Sequence, residues 1–118
     1  MKMTQNRNKL IDLFIGNLSN AILHKILEKA ILSSIPEIAQ RYNKEVINSW
    51  QIALNYRQKI NPQMTFPLKD IFYIKEKLSN RIRSELSLRI FKGYKNINLE
   101  LVDKEINDSL KQMRVIDS

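Results

Sequence analysis

Apolar residues along this chain recur at three- and four-residue steps, not in alternation, which predicts an all-α protein. The first apolar segment runs from about Thr4 to Ser33. Ile11, Phe14, Ile15, Leu18, Ile22, Ile26 and Ala30 share one helical face within it. Its middle holds Gly16-Asn17-Leu18-Ser19-Asn20, poor helix material in which Ser19 or Asn20 could cap a new helix. An unbroken helix of about 29 residues would be about 43 Å long. A compact chain of this size has a radius of gyration of about 13.5 Å. A break or kink near Gly16–Asn20 is therefore expected.

A second helix is expected from Pro36 to about Ile60. Ser34-Ile35-Pro36-Glu37 fits a capping box, with Pro36 in the first turn, where backbone N–H groups lack partners anyway. Ile38, Ala39, Tyr42, Val46, Ile47, Trp50, Ala53 and Leu54 form the stripe, with Trp50 expected at its buried centre. Pro62 and Pro67 exclude a helix interior between them, and Met64 and Phe66 are expected to tuck onto the core. A third helix then runs from Pro67 or Leu68 to about Lys92. Its stripe is Ile71, Ile74, Leu78, Ile82, Leu86 and Ile90, and Gly93 ends it in a left-handed conformation. Asn98 is expected to cap a last helix reaching about Met113, lined by Leu99, Val102, Ile106, Leu110 and Met113, with a Glu100–Lys104 pair on its surface. The expected architecture is one all-α domain over residues 1–118, a bundle or orthogonal array of four to five helices.

Composition narrows the chemistry. The 118 residues include no Cys, one His and two Gly, so thiolate metal sites, disulfides and cysteine nucleophiles are excluded. No phosphate-binding glycine motif is present. His24 lies between Leu23 and Lys25 with no partner suggesting catalysis. Glu100, Asp103, Glu105 and Asp108 read as the solvated face of the last helix, not as a metal or acid–base cluster. No enzyme signature, cofactor site or metal site is expected. The longest apolar run is Ile71–Ile74, so no membrane insertion and no signal-peptide core are expected, and the chain is expected to be cytoplasmic.

Charge leaves two readings. The chain carries 20 basic and 12 acidic residues, a net charge of +8. Residues 1–59 hold nine basic against four acidic residues, and residues 69–95 hold eight against three. A nucleic acid, an anionic membrane surface, an acidic protein partner or plain solubility would each fit. The string from Ile38 to Trp50 opens with features that resemble a helix-turn-helix: a capped start, an Ile-Ala pair, an aromatic and then Asn43. Lys44 stands where that turn usually has a small apolar residue, and Tyr42, Val46, Trp50, Ala53 and Leu54 read as one continuous helix. In the third helix the charges surround the axis at about 100° per residue and form no phosphate-tracking stripe.

The same geometry puts Tyr73 and Phe91 on the nominally polar face of the third helix. Either the long stems of Lys75 and Arg89, which fall within the apolar stripe, snorkel along apolar surface, or the helix is covered on two sides, one of them by another chain. The favoured function is a small non-enzymatic interaction or structural protein with a protein partner or itself, in a homodimer joined through Phe14, Leu18, Tyr73 or Phe91. The alternative is a nucleic-acid-binding protein using Arg41, Lys44, Lys77, Arg81 and Arg83.

Overall fold

The computed structural model describes residues 2–32 and 34–117, with side chains from residue 6 onward. Among these residues the chain forms four helices and no strand: α1 (Lys2–Ile31), α2 (Pro36–Ile60), α3 (Leu68–Phe91) and α4 (Leu101–Gln112). They run up, down, up, down. The pairs Asn20–Ser49 and His24–Tyr42 set α1 against α2 in antiparallel fashion, while Arg7–Asp70 and Asp12–Tyr73 set α3 parallel to α1. Helix α1 is the hub. It packs on α2, α3 and α4, whereas the α2 backbone stays apart from those of α3 and α4, and Tyr42 of α2 reaches Arg89 of α3 through its side chain.

The expected break in the first segment is absent: α1 is continuous over 30 residues. The polar residues that suggested a break are satisfied inside the helix. Asn17 Nδ2 donates to the Leu13 carbonyl at 2.8 Å, and Ser19 Oγ donates to the Gly16 carbonyl at 2.9 Å. The size argument failed because the molecule is elongated, 49 × 28 × 22 Å with a radius of gyration of 14.8 Å. A 30-residue helix of about 45 Å fits along the long axis. Ser33, the expected end of the first segment, lies outside the described residues.

The length of α1 also corrects the membrane argument. Residues Asn6–Ile31 are long enough, with a mean hydropathy of 1.3, to meet the composition of a membrane span. Much of that apolarity is used internally. Ile11, Phe14, Ile15, Leu18, Ile22, Ile26 and Leu27 are buried against the other helices.

Helix α2 runs unbroken from Pro36 to Ile60, so residues 38–50 form one helix and contain no helix-turn-helix. The expected cap at Ser34 is not made. Ile35 occupies the N-cap with no side-chain hydrogen bond, and Ser34 is exposed in the preceding turn. The buried stripe of α2 consists of Ala39, Ser49, Ala53 and Arg57. Trp50 is only half-buried, packed beside the core, and Ile47 is exposed. The small side chains let α1 and α2 approach closely, which pushes the bulky Trp50 to the flank.

Phe66 is buried as expected, and its N–H donates to the Val115 carbonyl at 2.9 Å, while Met64 is exposed. Gly93, at φ +102°, ends α3 in a Schellman motif: Tyr94 N–H donates to the Arg89 carbonyl and Gly93 N–H to the Ile90 carbonyl. Helix α4 ends the same way, with Arg114 at φ 59° in the glycine position. Asn98 Oδ1 accepts from the Glu100 N–H and organises the turn before α4. Lys104 pairs with Asp108 at 2.7 Å and not with Glu100. Glu105 is buried, not solvated. It ties α4 to α1 through Lys25 at 3.0 Å and Lys29 at 3.5 Å.

Candidate functional site

Two surfaces stand out, and both involve α3. Its inner face, Ile74, Leu78, Ile82 and Leu86, is fully committed to the core. Its outward face is unfinished. Phe91 is 89% exposed, Leu68 72% and Phe72 71%, with Tyr73 and Leu88 also exposed. These side chains gather near the two ends of the helix, and Glu76 and Ser87 occupy the exposed surface between them.

The second surface is a groove of about 810 Å³ between α1 and α3. Every residue that lines it comes from α1 or α3. Asp12, Gly16, Asn20 and His24, at four-residue spacing, form a polar stripe along its α1 floor. Tyr73, Lys77, Asn80, Arg81 and Ser84 form the α3 wall. Gly16 matters here because a Cβ at that position would lie 3.3 Å from Arg81 Nη1.

Each end of the groove has its own polar lock. At one end Tyr73 Oη donates to Asp12 Oδ1 at 2.8 Å, and this hydrogen bond, with some burial, raises the Tyr73 pKa above its ordinary value. At the other end Glu85 pairs with Arg89 at 3.3 Å. His24 stacks on Tyr42 with ring centroids 5.4 Å apart. Burial lowers the His24 pKa, opposed by Glu45 and the Asn20 carbonyl and reinforced by Arg89. Tyr42 is pushed upward, first by burial and then by the Tyr94 hydroxyl.

The structure separates the residues singled out in the sequence. Phe14 and Leu18 are wholly buried within the chain, at 0% exposure each, so they belong to the core and not to an interface. Tyr73 and Phe91 are exposed as expected. Arg41 and Lys44 lie exposed on α2, away from the α1–α3 groove. Arg83 points to the other side of α3, where it pairs with Asp103 at 3.2 Å. Lys77 and Arg81 share the groove wall, apart from Arg41 and Lys44 on α2. Among the described residues no group of three or more His, Asp or Glu side chains is placed to hold a metal ion.

A different basic residue dominates the interior. Arg57 is 2% exposed and hydrogen-bonds four backbone carbonyls: Met113 at 2.6 Å, Met64 and Arg114 at 2.8 Å each, and Asn61. It also lies 4.9 Å over the Phe66 ring. Burial and the neighbouring Arg114 lower its pKa. Its role is structural, clamping the α2–α3 loop to the C-terminal residues. The sequence carried one unread signal of it: Arg57 continues the Ser49–Ala53 spacing at the next four-residue step.

The chain matches no family model, no curated protein and no solved structure.

Proposed function

We propose that this protein is a non-enzymatic helical interaction module that pairs with a second copy of itself through the outward face of α3. The observation that carries this reading is the exposure of Phe91 and Phe72, 89% and 71%, on a helix whose other face already completes the core. Their placement suits a two-fold axis. Antiparallel pairing of α3 with its mate sets the Phe72 end of one copy against the Phe91 end of the other, and does so twice. The short polar side chain of Ser87 between the ends allows the helices to come together. A 24-residue helix, about 36 Å long, offers the reach for a stable interface of about 1,200–2,000 Å². Lys69, Lys92 and Lys95 stand near the ends of α3, where two copies at +8 each keep charge at the rim. Screening over about 8 Å at physiological salt limits the repulsion.

Light scattering on the eluting protein tests the proposal. The expected mass at tens of micromolar is twice the 14.0 kDa of the chain, falling to the single-chain value for the double variant Phe72→Glu/Phe91→Glu with its helical circular dichroism intact. A wild-type protein at the single-chain mass would sink it. The nucleic-acid reading has less support, because its five basic residues face three different parts of the surface.

A further inference from the structure

The groove between α1 and α3 is a different feature from the outward face of α3, and its chemistry is polar. Lys77, Asn80, Arg81 and Ser84 fall at positions i, i+3, i+4 and i+7 of α3, so their side chains line one continuous stripe of donors along the groove wall. Among the described residues none of the four side chains makes a hydrogen bond or ion pair within the chain. This contrasts with the other charges of the groove. Asp12 accepts from Tyr73, and Glu85 pairs with Arg89. Two positive charges, Lys77 and Arg81, are thus left without a carboxylate between two locked ends.

The floor lets the Arg81 guanidinium come close at that place. Gly16 carries no side chain beneath Arg81, and any Cβ there would press on the guanidinium at 3.3 Å. Ser19 turns its hydroxyl proton to the Gly16 carbonyl, and Asn20 spends its amide donor on Ser49 Oγ at 2.7 Å. The Asn20 Oδ1 atom and its second amide N–H have no hydrogen-bond partner among the described residues.

We infer that this groove binds a small organic phosphate, with Arg81 and Lys77 holding the phosphate oxygens and Asn80 and Ser84 donating alongside them. A phosphate dianion matches two unpaired cations in charge, and the planar guanidinium offers two parallel donors to two of its oxygens. The volume of about 810 Å³ holds a group well beyond the phosphate itself. The rest of the ligand lies along Asn20 and Asp12, both acceptors, so it carries hydroxyl or amine donors. The phosphate could come from a free metabolite or from a nucleic-acid strand, and the probes separate these sources.

The test is a titration of the ¹⁵N-labelled protein followed by amide chemical shifts, with adenosine monophosphate, inorganic pyrophosphate and a single-stranded oligothymidylate as probes. The expected result is saturable shifts of Gly16, Asn20, Asn80 and Ser84 with at least one of the small phosphates. Arg81→Gln and Lys77→Gln should each weaken binding by about tenfold or more, while Lys44→Gln, outside the groove, leaves it unchanged. Tighter binding of the oligonucleotide through the same amides would assign the phosphate to a nucleic-acid backbone. Two results overturn the inference: no saturable shift at millimolar probe, or shifts that persist undiminished in the Arg81→Gln/Lys77→Gln double variant. The Phe72→Glu/Phe91→Glu protein should still bind, so failure of the dimer and failure of the groove are read separately.

Discussion

Arg57 Nε donates to the Met113 carbonyl at 2.6 Å, joining the end of α2 to the end of α4 across 56 residues of chain. With its three other carbonyl partners this side chain satisfies backbone from two irregular segments that have no ladder of their own. A buried guanidinium with no ion pair is stable here because four neutral carbonyl dipoles accept its hydrogen bonds and the Phe66 ring lies beneath it.

Arg57→Ala should therefore cost about 3–5 kcal/mol, since it leaves several buried acceptors unpaired and opens space beneath Phe66. Arg57→Lys should restore only part of this, because an ammonium cannot span the fork geometry. Urea denaturation measures the loss. Hydrogen exchange should show the Phe66 amide, bonded to the Val115 carbonyl, losing protection first.

His24 should make stability fall on acidification. Its folded pKa lies below the ordinary value of 6.5, chiefly because of burial. The unfolded chain thus binds the proton more readily, and the contribution present above about pH 6.5 is lost as pH falls through the folded pKa. The urea midpoint should drop between neutral and mildly acidic pH. His24→Gln should flatten that part of the profile, and an unchanged slope would refute the assignment.

Gly16→Ala should stabilise the helix by about 0.5–1 kcal/mol, because Gly16 sits inside a continuous α1 and the group it meets is the flexible end of Arg81. Thermal melts give the stability. The same variant should weaken phosphate binding, since Arg81 must move.

The two Schellman ends predict opposite effects. Gly93→Ala should cost about 1–2 kcal/mol, with the whole cost in the backbone, because nothing lies within 4 Å of the new Cβ. Arg114→Gly should gain up to about 1 kcal/mol by relieving the left-handed conformation at φ 59°, while keeping the carbonyl that Arg57 uses.

Ser34→Ala should change stability by no more than about 0.5 kcal/mol, because Ser34 is exposed and caps nothing. A larger loss in chemical denaturation would show that the capping box forms in solution.

The periodicity of apolar residues determined the all-α class, the loop at 61–67, the extent of α3 and its Gly93 stop, and the inner stripe Ile74, Leu78, Ile82 and Leu86. Those features depend on interactions within a few residues, so local spacing contains them. The continuity of α1 was decided elsewhere. Gly16 and Asn20 weaken a helix in isolation, but packing against three neighbours outweighs a propensity difference of about 1 kcal/mol. Burial was misjudged wherever closeness of approach mattered. Ser49 and Ala53 took the α1–α2 contact and moved Trp50 aside, and Phe14 and Leu18 vanished into a core that needed both. Arg57 and the donor stripe of Lys77, Asn80, Arg81 and Ser84 acquired meaning only in three dimensions. One depends on carbonyls brought from residues 61–64 and 113–114, and the other on α1 and α3 running side by side. A sequence states which side chains share a helix face. Which faces are left open depends on how the helices pack on one another.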